Sequence, residues 1–218
     1  MPDFCNNGIT PVQLAAKNLV IERGGRVIVS GVSFAVGQGE ALLLTGANGA
    51  GKTTLLRALA GFLPLSGGTI RVEGGDADKS LAEQAHAIGH ANAVKAHLTV
   101  AENVLFWSRF LNGDDGAEQR TAAAIEAFAL SDLEDFPASY LSAGQKRRVG
   151  LARLLAAPRP IWLLDEPTVS LDTASSARLA RVVNAHTSGG GMVIAATHLP
   201  LGLERAREFK LERGGTAA

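Results

Sequence analysis

Residues 46–53 read Gly46-Ala47-Asn48-Gly49-Ala50-Gly51-Lys52-Thr53, with Thr54 next. The stretch matches G-x-x-x-x-G-K-[ST]. An apolar run, Ala41-Leu42-Leu43-Leu44-Thr45, precedes it, and a helical pattern over 52–61 follows. Strand before and helix after is the setting in which such a loop wraps phosphate. Glycine lets the backbone bend close to phosphate oxygens, so that several N–H groups converge on them. The helix start adds the positive end of its dipole. Lys52 offers a cation to the outer phosphates of a nucleotide, and the Thr53 hydroxyl offers an oxygen to Mg²⁺.

That loop creates a need for a carboxylate beside the metal and for a base. Ile161-Trp162-Leu163-Leu164-Asp165-Glu166 supplies both, as an apolar strand ending in two acids. Asp165 is placed to hold Mg²⁺ through water, and Glu166 to take a proton from the attacking water.

The rest of the chain reads as an α/β protein. The runs 41–45, 161–164 and 192–197 (MVIAAT) are continuously apolar, which suits parallel strands covered on both faces. Helical patterns over 52–61, 99–111, 117–130, 142–156 and 173–186 separate them, and predict a doubly wound, mainly parallel core. Residues 12–36 and 69–72 are rich in β-branched residues and broken by glycine pairs. They predict a small, mainly antiparallel β layer. Residues 99–130 carry no strand signal and predict a helical insert hinged near 111–116, within an insert spanning about 97–158 of a single domain over 1–218. The final Gly-Gly-Thr-Ala-Ala predicts a frayed tail.

Composition narrows the function classes. Lys plus Arg and Asp plus Glu each total 21, so the net charge is zero and there is no electrostatic footprint for nucleic acid. No apolar run approaches the roughly 18 residues of a membrane span. The N-terminal MPDFCNNGIT lacks the basic and apolar regions of a signal peptide. The one cysteine, Cys5, excludes an intrachain disulfide and fits a reducing compartment. His86 and His97 form no metal pattern with it and read as surface residues, as does the basic run Lys146-Arg147-Arg148.

Leu141-Ser142-Ala143-Gly144-Gln145 lies upstream of the acidic strand. With these motifs the chain resembles the ATP-binding cassette (ABC) family over about 12–213. LSAGQ resembles that family's LSGGQ signature, with Ala143 in place of a glycine, and Ser142 is suited to cap the following helix. Val169-Ser170-Leu171-Asp172 resembles the family's D-loop, and His198 its switch histidine. The resemblance implies ATP and Mg²⁺ as ligands, and a homodimer. Each nucleotide would lie between one subunit's phosphate loop and the other's Ser142, Ala143, Gly144, Gln145 and Asp172. It further implies membrane-spanning partner subunits, with this chain peripheral on the cytoplasmic face of a bacterial inner membrane.

Two positions depart from the family pattern. Arg23 aligns with an aromatic residue that stacks on adenine; a guanidinium plane can stack there too. The segment Ile88-Gly89-His90-Ala91-Asn92-Ala93 lacks the family's Q-loop glutamine; Ala91 or His90 aligns with it, and either turnover is altered or His90 or Asn92 substitutes. At subfamily level, Ser30-Gly31-Val32-Ser33-Phe34, Ile88-Gly89-His90 and Leu141–Val149 resemble the haem-exporting ATPases of cytochrome c maturation. Alternatives are the ATPase of another small-substrate exporter and a nucleotide-gated soluble ABC protein.

Overall fold

The computed structural model describes residues 12–75, 78–198, 201–204 and 206–212. Cys5, the rest of MPDFCNNGIT and the terminal tail lie outside them. The chain runs β1 (Gln13–Arg23), β2 (Arg26–Gly37), β3 (Ala41–Thr45), α1 (Lys52–Leu59), β4 (Gly67–Glu73), α2 (Leu81–Gln84), β5 (Ala85–Ile88), α3 (Val100–Asn112) and α4 (Ala117–Ala127). It continues with α5 (Ala143–Ala156), β6 (Ile161–Asp165), α6 (Thr173–Ser188), β7 (Met192–Ala196) and β8 (Ala206–Lys210).

Two sheets form. β1 and β2 make a hairpin that pairs Arg23 with Arg26. Its turn holds Gly24 and Gly25 at φ of 59° and 72°, the left-handed pair that a two-residue hairpin requires. β4 adds to the other edge of β1, giving the antiparallel order β2-β1-β4. The second sheet is parallel, in the order β5-β6-β7-β3-β8.

The alternation of side chains explains why the central strands are apolar throughout. Leu42, Leu44, Ile161, Leu163, Met192 and Ile194 join β1, β2 and α1 in one core. Their neighbours Ala41, Trp162, Leu164, Val193 and Ala195 point the other way, into a core with α3–α6. Both faces of the parallel sheet are therefore dry.

α3, α4 and α5 pack on one another as the helical insert. Thr99 and Ser142 each cap a helix through a reciprocal capping box, with Glu102 and Gln145. Arg120 ties the 113–116 turn to the end of α5, donating to the carbonyls of Gly113 (3.2 Å), Asp115 (2.6 Å) and Ala156 (3.2 Å).

The structure corrects three expectations. Two strands, β5 and β8, were not expected: β5 is four residues long, and β8 (AREFK) is a charged, mostly exposed edge. His86 is not a surface residue. It is 4% exposed, and its Nε2 donates to the Ala157 carbonyl. The run Lys146-Arg147-Arg148 is not a solvated face either. Arg147 is 4% exposed, and Arg148 donates to the carbonyls of Phe128 (3.0 Å) and Ala129 (2.6 Å).

Burial pulls the pKa of His86 down to about 4, and does the same to His186, whose ring stacks on Trp162 at 3.7 Å between centroids. Both rings fold neutral, whereas in the unfolded chain they bind protons near the ordinary value of 6.5. Their contribution to stability is full above about pH 6.5 and is lost as the pH falls towards 4. The denaturant midpoint is therefore expected to drop between pH 7 and 4.5, and the drop should shallow in His86→Asn. An unchanged slope in that variant would assign the acid sensitivity elsewhere.

Candidate nucleotide site

The loop after β3 folds tightly because its glycines permit it. Gly46 sits at φ 130°, and a Cβ there would lie 2.2 Å from the Leu211 carbonyl oxygen. Gly51, at φ 102°, starts α1 with no side chain capping its N-terminus, which leaves the first-turn N–H groups for an anion. Lys52 is 8% exposed, and its Nζ donates to the carbonyls of Gly46 (2.7 Å) and Ala47 (3.2 Å), so the ammonium lies back across the loop.

Opposite stands the end of β6. Thr53 Oγ1 donates to Asp165 Oδ1 at 3.1 Å, across 112 residues of chain. These two oxygens converge at the mouth of the loop. They suit Mg²⁺, which takes one or two protein ligands and fills its shell from phosphate and water.

Glu166 follows in the left-handed region at φ 46°, where a side chain of its size rarely sits. Its N–H donates to the Ala196 carbonyl (2.8 Å), which ties it to the end of β7. The His198 N–H donates to Glu166 Oε2 (3.4 Å), and the His198 ring Nε2 lies 3.4 Å from Oε1. The acid and the histidine thus form a unit at the ends of adjacent parallel strands.

Arg23, Asn48, Gly49, Gly51, Lys52, Thr53, Thr54, His90, Asp165, Glu166 and His198 all line one cavity of about 720 Å³. Ser142, Ala143, Gly144, Gln145 and Asp172 do not line it. They form a separate edge. Ser142 Oγ accepts from Gln145 N–H (3.2 Å), and Gln145 Oε1 accepts from Ser142 N–H (2.8 Å), so the Gln145 side chain is engaged in the cap. Asp172 caps α6 through Ser175 N–H (2.7 Å), and that bond holds its carboxyl below the ordinary pKa. A Cβ on Gly144 would lie 2.7 Å from the Ser170 carbonyl, so only glycine lets α5 start this close to the 169–172 loop.

The loop without a glutamine also has a definite arrangement. His90 lines the cavity, with Nδ1 4.0 Å from Asp165 Oδ2. Asn92 is turned away, its Oδ1 accepting from Arg147 (3.1 Å). Ala91 lines a neighbouring groove of about 470 Å³ that shares Thr53, His90 and Asp165 with the cavity. Arg147, buried against both loops, was not among the residues that the sequence singled out for the site. Its place just past the signature was the only hint, and charge alone read as solvated surface.

A family model described as ABC transporter matches residues 29–169. The chain belongs to the ABC transporter family. It is 49% identical over 206 residues to the "Cytochrome c biogenesis ATP-binding export protein CcmA" of Chelativorans sp. (strain BNC1), covering 93% of this chain and 100% of that one. The protein of the same name from Nitrobacter winogradskyi is 48% identical, over 94% and 100% of the two chains. Among solved structures, one described as an ATP binding subunit of an ABC transporter matches the fold at a TM-score of 0.82 with 24% identity, over 95% of this chain and 88% of that one. Membership makes this chain a nucleotide-binding ATPase subunit. Among the described residues, no helix is long and apolar enough to cross a membrane.

Lys52→Ala is expected to abolish nucleotide binding and turnover. Arg23→Ala should weaken binding no more than about tenfold, the scale of a partly exposed stacking contact. Titration with a fluorescent nucleotide separates the two, and unaltered affinity in Arg23→Ala would remove that residue from the site.

Proposed function

We propose that this chain is the ATP-hydrolysing subunit of an ABC exporter that powers haem export in cytochrome c maturation. In this reading it works as a homodimer, held at the cytoplasmic face of the bacterial inner membrane by membrane-spanning partners. One nucleotide-binding domain over 1–218 is the working unit, with about 97–158 as its helical insert.

The observation that carries the dimer is the split of the predicted site. Phosphate loop, acids and His198 share one cavity, whereas the capped start of α5 and Asp172 stand outside it. A second copy brings its own Ser142–Gln145 edge to the nucleotide and closes the site. The near half-identity to export proteins named for cytochrome c biogenesis supports the haem assignment.

The geometry supports the following roles. The loop N–H groups and Lys52 hold the phosphates. Thr53 and Asp165 would hold Mg²⁺, which neutralises charge on the outer phosphates. The Glu166 carboxylate orients a water and takes its proton as the water oxygen attacks the terminal phosphorus, whose bond to the bridging oxygen breaks to release ADP and phosphate. His198 reaches that carboxylate through its N–H and its ring, at 3.4 Å each, and stands where it can meet the terminal phosphate. From the partner copy, the α5 start presents its dipole to the terminal phosphate. The groove beside His90 abuts the Asp165 carboxylate, so a partner seated there would sense the site directly.

Glu166→Gln should bind ATP, release almost no phosphate and accumulate as a dimer in size-exclusion chromatography with ATP and Mg²⁺. A strictly monomeric variant would overturn the shared-site reading. The same variant, solubilised from native membranes, should carry haem-handling membrane proteins, identified by mass spectrometry. Recovery of a different permease would reject the haem assignment and keep the ATPase.

A further inference from the structure

Arg147 sits on α5 and is nearly sealed from solvent, at 4% exposure. A guanidinium carries five N–H donors in a rigid fork. Here the fork reaches five acceptors on two other segments. Nε donates to the Pro167 carbonyl (3.1 Å), and Nη2 to the carbonyls of Glu166 (2.8 Å) and Asp165 (3.4 Å). Nη1 donates to the Gly89 carbonyl (2.7 Å) and to Asn92 Oδ1 (3.1 Å). One side chain therefore bolts the helix behind the signature to the acid pair and to both flanks of His90.

Glu166 needs such a bolt. Its left-handed backbone, at φ 46°, is strained and persists only where its surroundings over-determine it. Ala196 holds its N–H, and Arg147 holds its carbonyl. Between them the peptide groups on both sides of Glu166 are held, which sets the direction in which its side chain leaves the backbone. On the other arm, Gly89 and Asn92 are held while His90, between them, stays exposed beside Asp165. A second contact confirms the closeness of helix and loop: a Cβ on Gly150 would lie 2.8 Å from the Asn92 carbonyl oxygen.

We propose that Arg147 is a positioning residue for hydrolysis, which fixes the aim of Glu166 and locks the His90 loop to it, without touching nucleotide. This rests on the ATPase reading above. It divides binding from chemistry: the hydrogen bonds of Arg147 go to residues 89–92 and 165–167 and not to the phosphate loop or Lys52, so affinity should survive its loss while turnover should not.

The test uses the full-length chain in native membranes, with phosphate release, ATP affinity and thermal midpoint measured for wild type, Arg147→Gln and Arg147→Lys. Misaiming a reacting group by about 1 Å can cost about 100-fold. Arg147→Gln is therefore expected to lower kcat at least 30-fold with the ATP Kd within about threefold, and to accumulate the ATP-bound dimer as Glu166→Gln does. Arg147→Lys keeps the charge but not the fork, and should recover part of kcat. If Arg147→Gln fails to fold, the Lys variant carries the same kcat-against-Kd comparison.

Turnover within threefold of wild type in a folded variant overturns the proposal. So does a loss of ATP affinity in proportion to kcat with Lys no better than Gln, because that is a merely structural role. A wild type that releases no phosphate, together with a Glu166→Gln that traps no dimer, sinks the ATPase reading itself.

Discussion

The site depends on the parallel alignment of β3, β7 and β6. Leu44 and Asp165 both pair with Ala196, so the three strands end at one level. Because they are parallel, their C-terminal ends share one edge of the sheet. The phosphate loop, the acid pair and His198 each leave from that edge. Groups separated by more than a hundred residues of chain then meet within hydrogen-bond distance, as Thr53 and Asp165 do at 3.1 Å. Ligand sites in open parallel sheets lie outside the carboxyl ends of the strands for this reason.

Packing on both faces keeps that edge rigid. α1 is clasped between the parallel sheet and the antiparallel layer, so the phosphate loop is anchored through Leu55 and Leu56 in a dry core. On the other face α5 is buried by Val149, Leu151 and Leu154. That burial carries Arg147 to the acid pair. The same helix presents its capped start at a different edge, at Ser142. One rigid helix therefore joins the capped edge at Ser142 with the acid pair at the end of β6.

The polar interior is arranged by hydrogen bonding. Burial lowers the pKa of Arg147, and the nearby Asp165 carboxylate opposes the shift. Its five acceptors replace the water it loses, which is the condition for keeping a charge inside a protein. His86 follows the other course: it gives up its charge and keeps one bond, to Ala157. His90 remains exposed, facing both the nucleotide cavity and the groove beside it.

Much of the protein was legible in its sequence, because its motifs are local. The glycines of 46–51, the Asp165-Glu166 step after an apolar run and the Ser142 cap each depend on a few adjacent residues, and local backbone chemistry decides them. The apolar runs at 41–45, 161–164 and 192–197 likewise determined a parallel core, because strands buried on both faces cannot hide polar side chains. The fate of buried polar residues was decided only by the tertiary structure. His86 finds its partner 71 residues away, and Arg147 finds its own up to 58 residues away. Strands β5 and β8 form because β6 and β3 offer open edges, not because AHAI or AREFK favours a strand alone. Of the two substitutes that the sequence offered for the missing glutamine, the fold faces His90 to the cavity and ties Asn92 to Arg147. Sequence determines which chemistry a chain carries when neighbours along the chain suffice. Which polar groups meet is decided when distant segments pack, because a hydrogen bond to a buried group needs a partner that only the closed fold supplies.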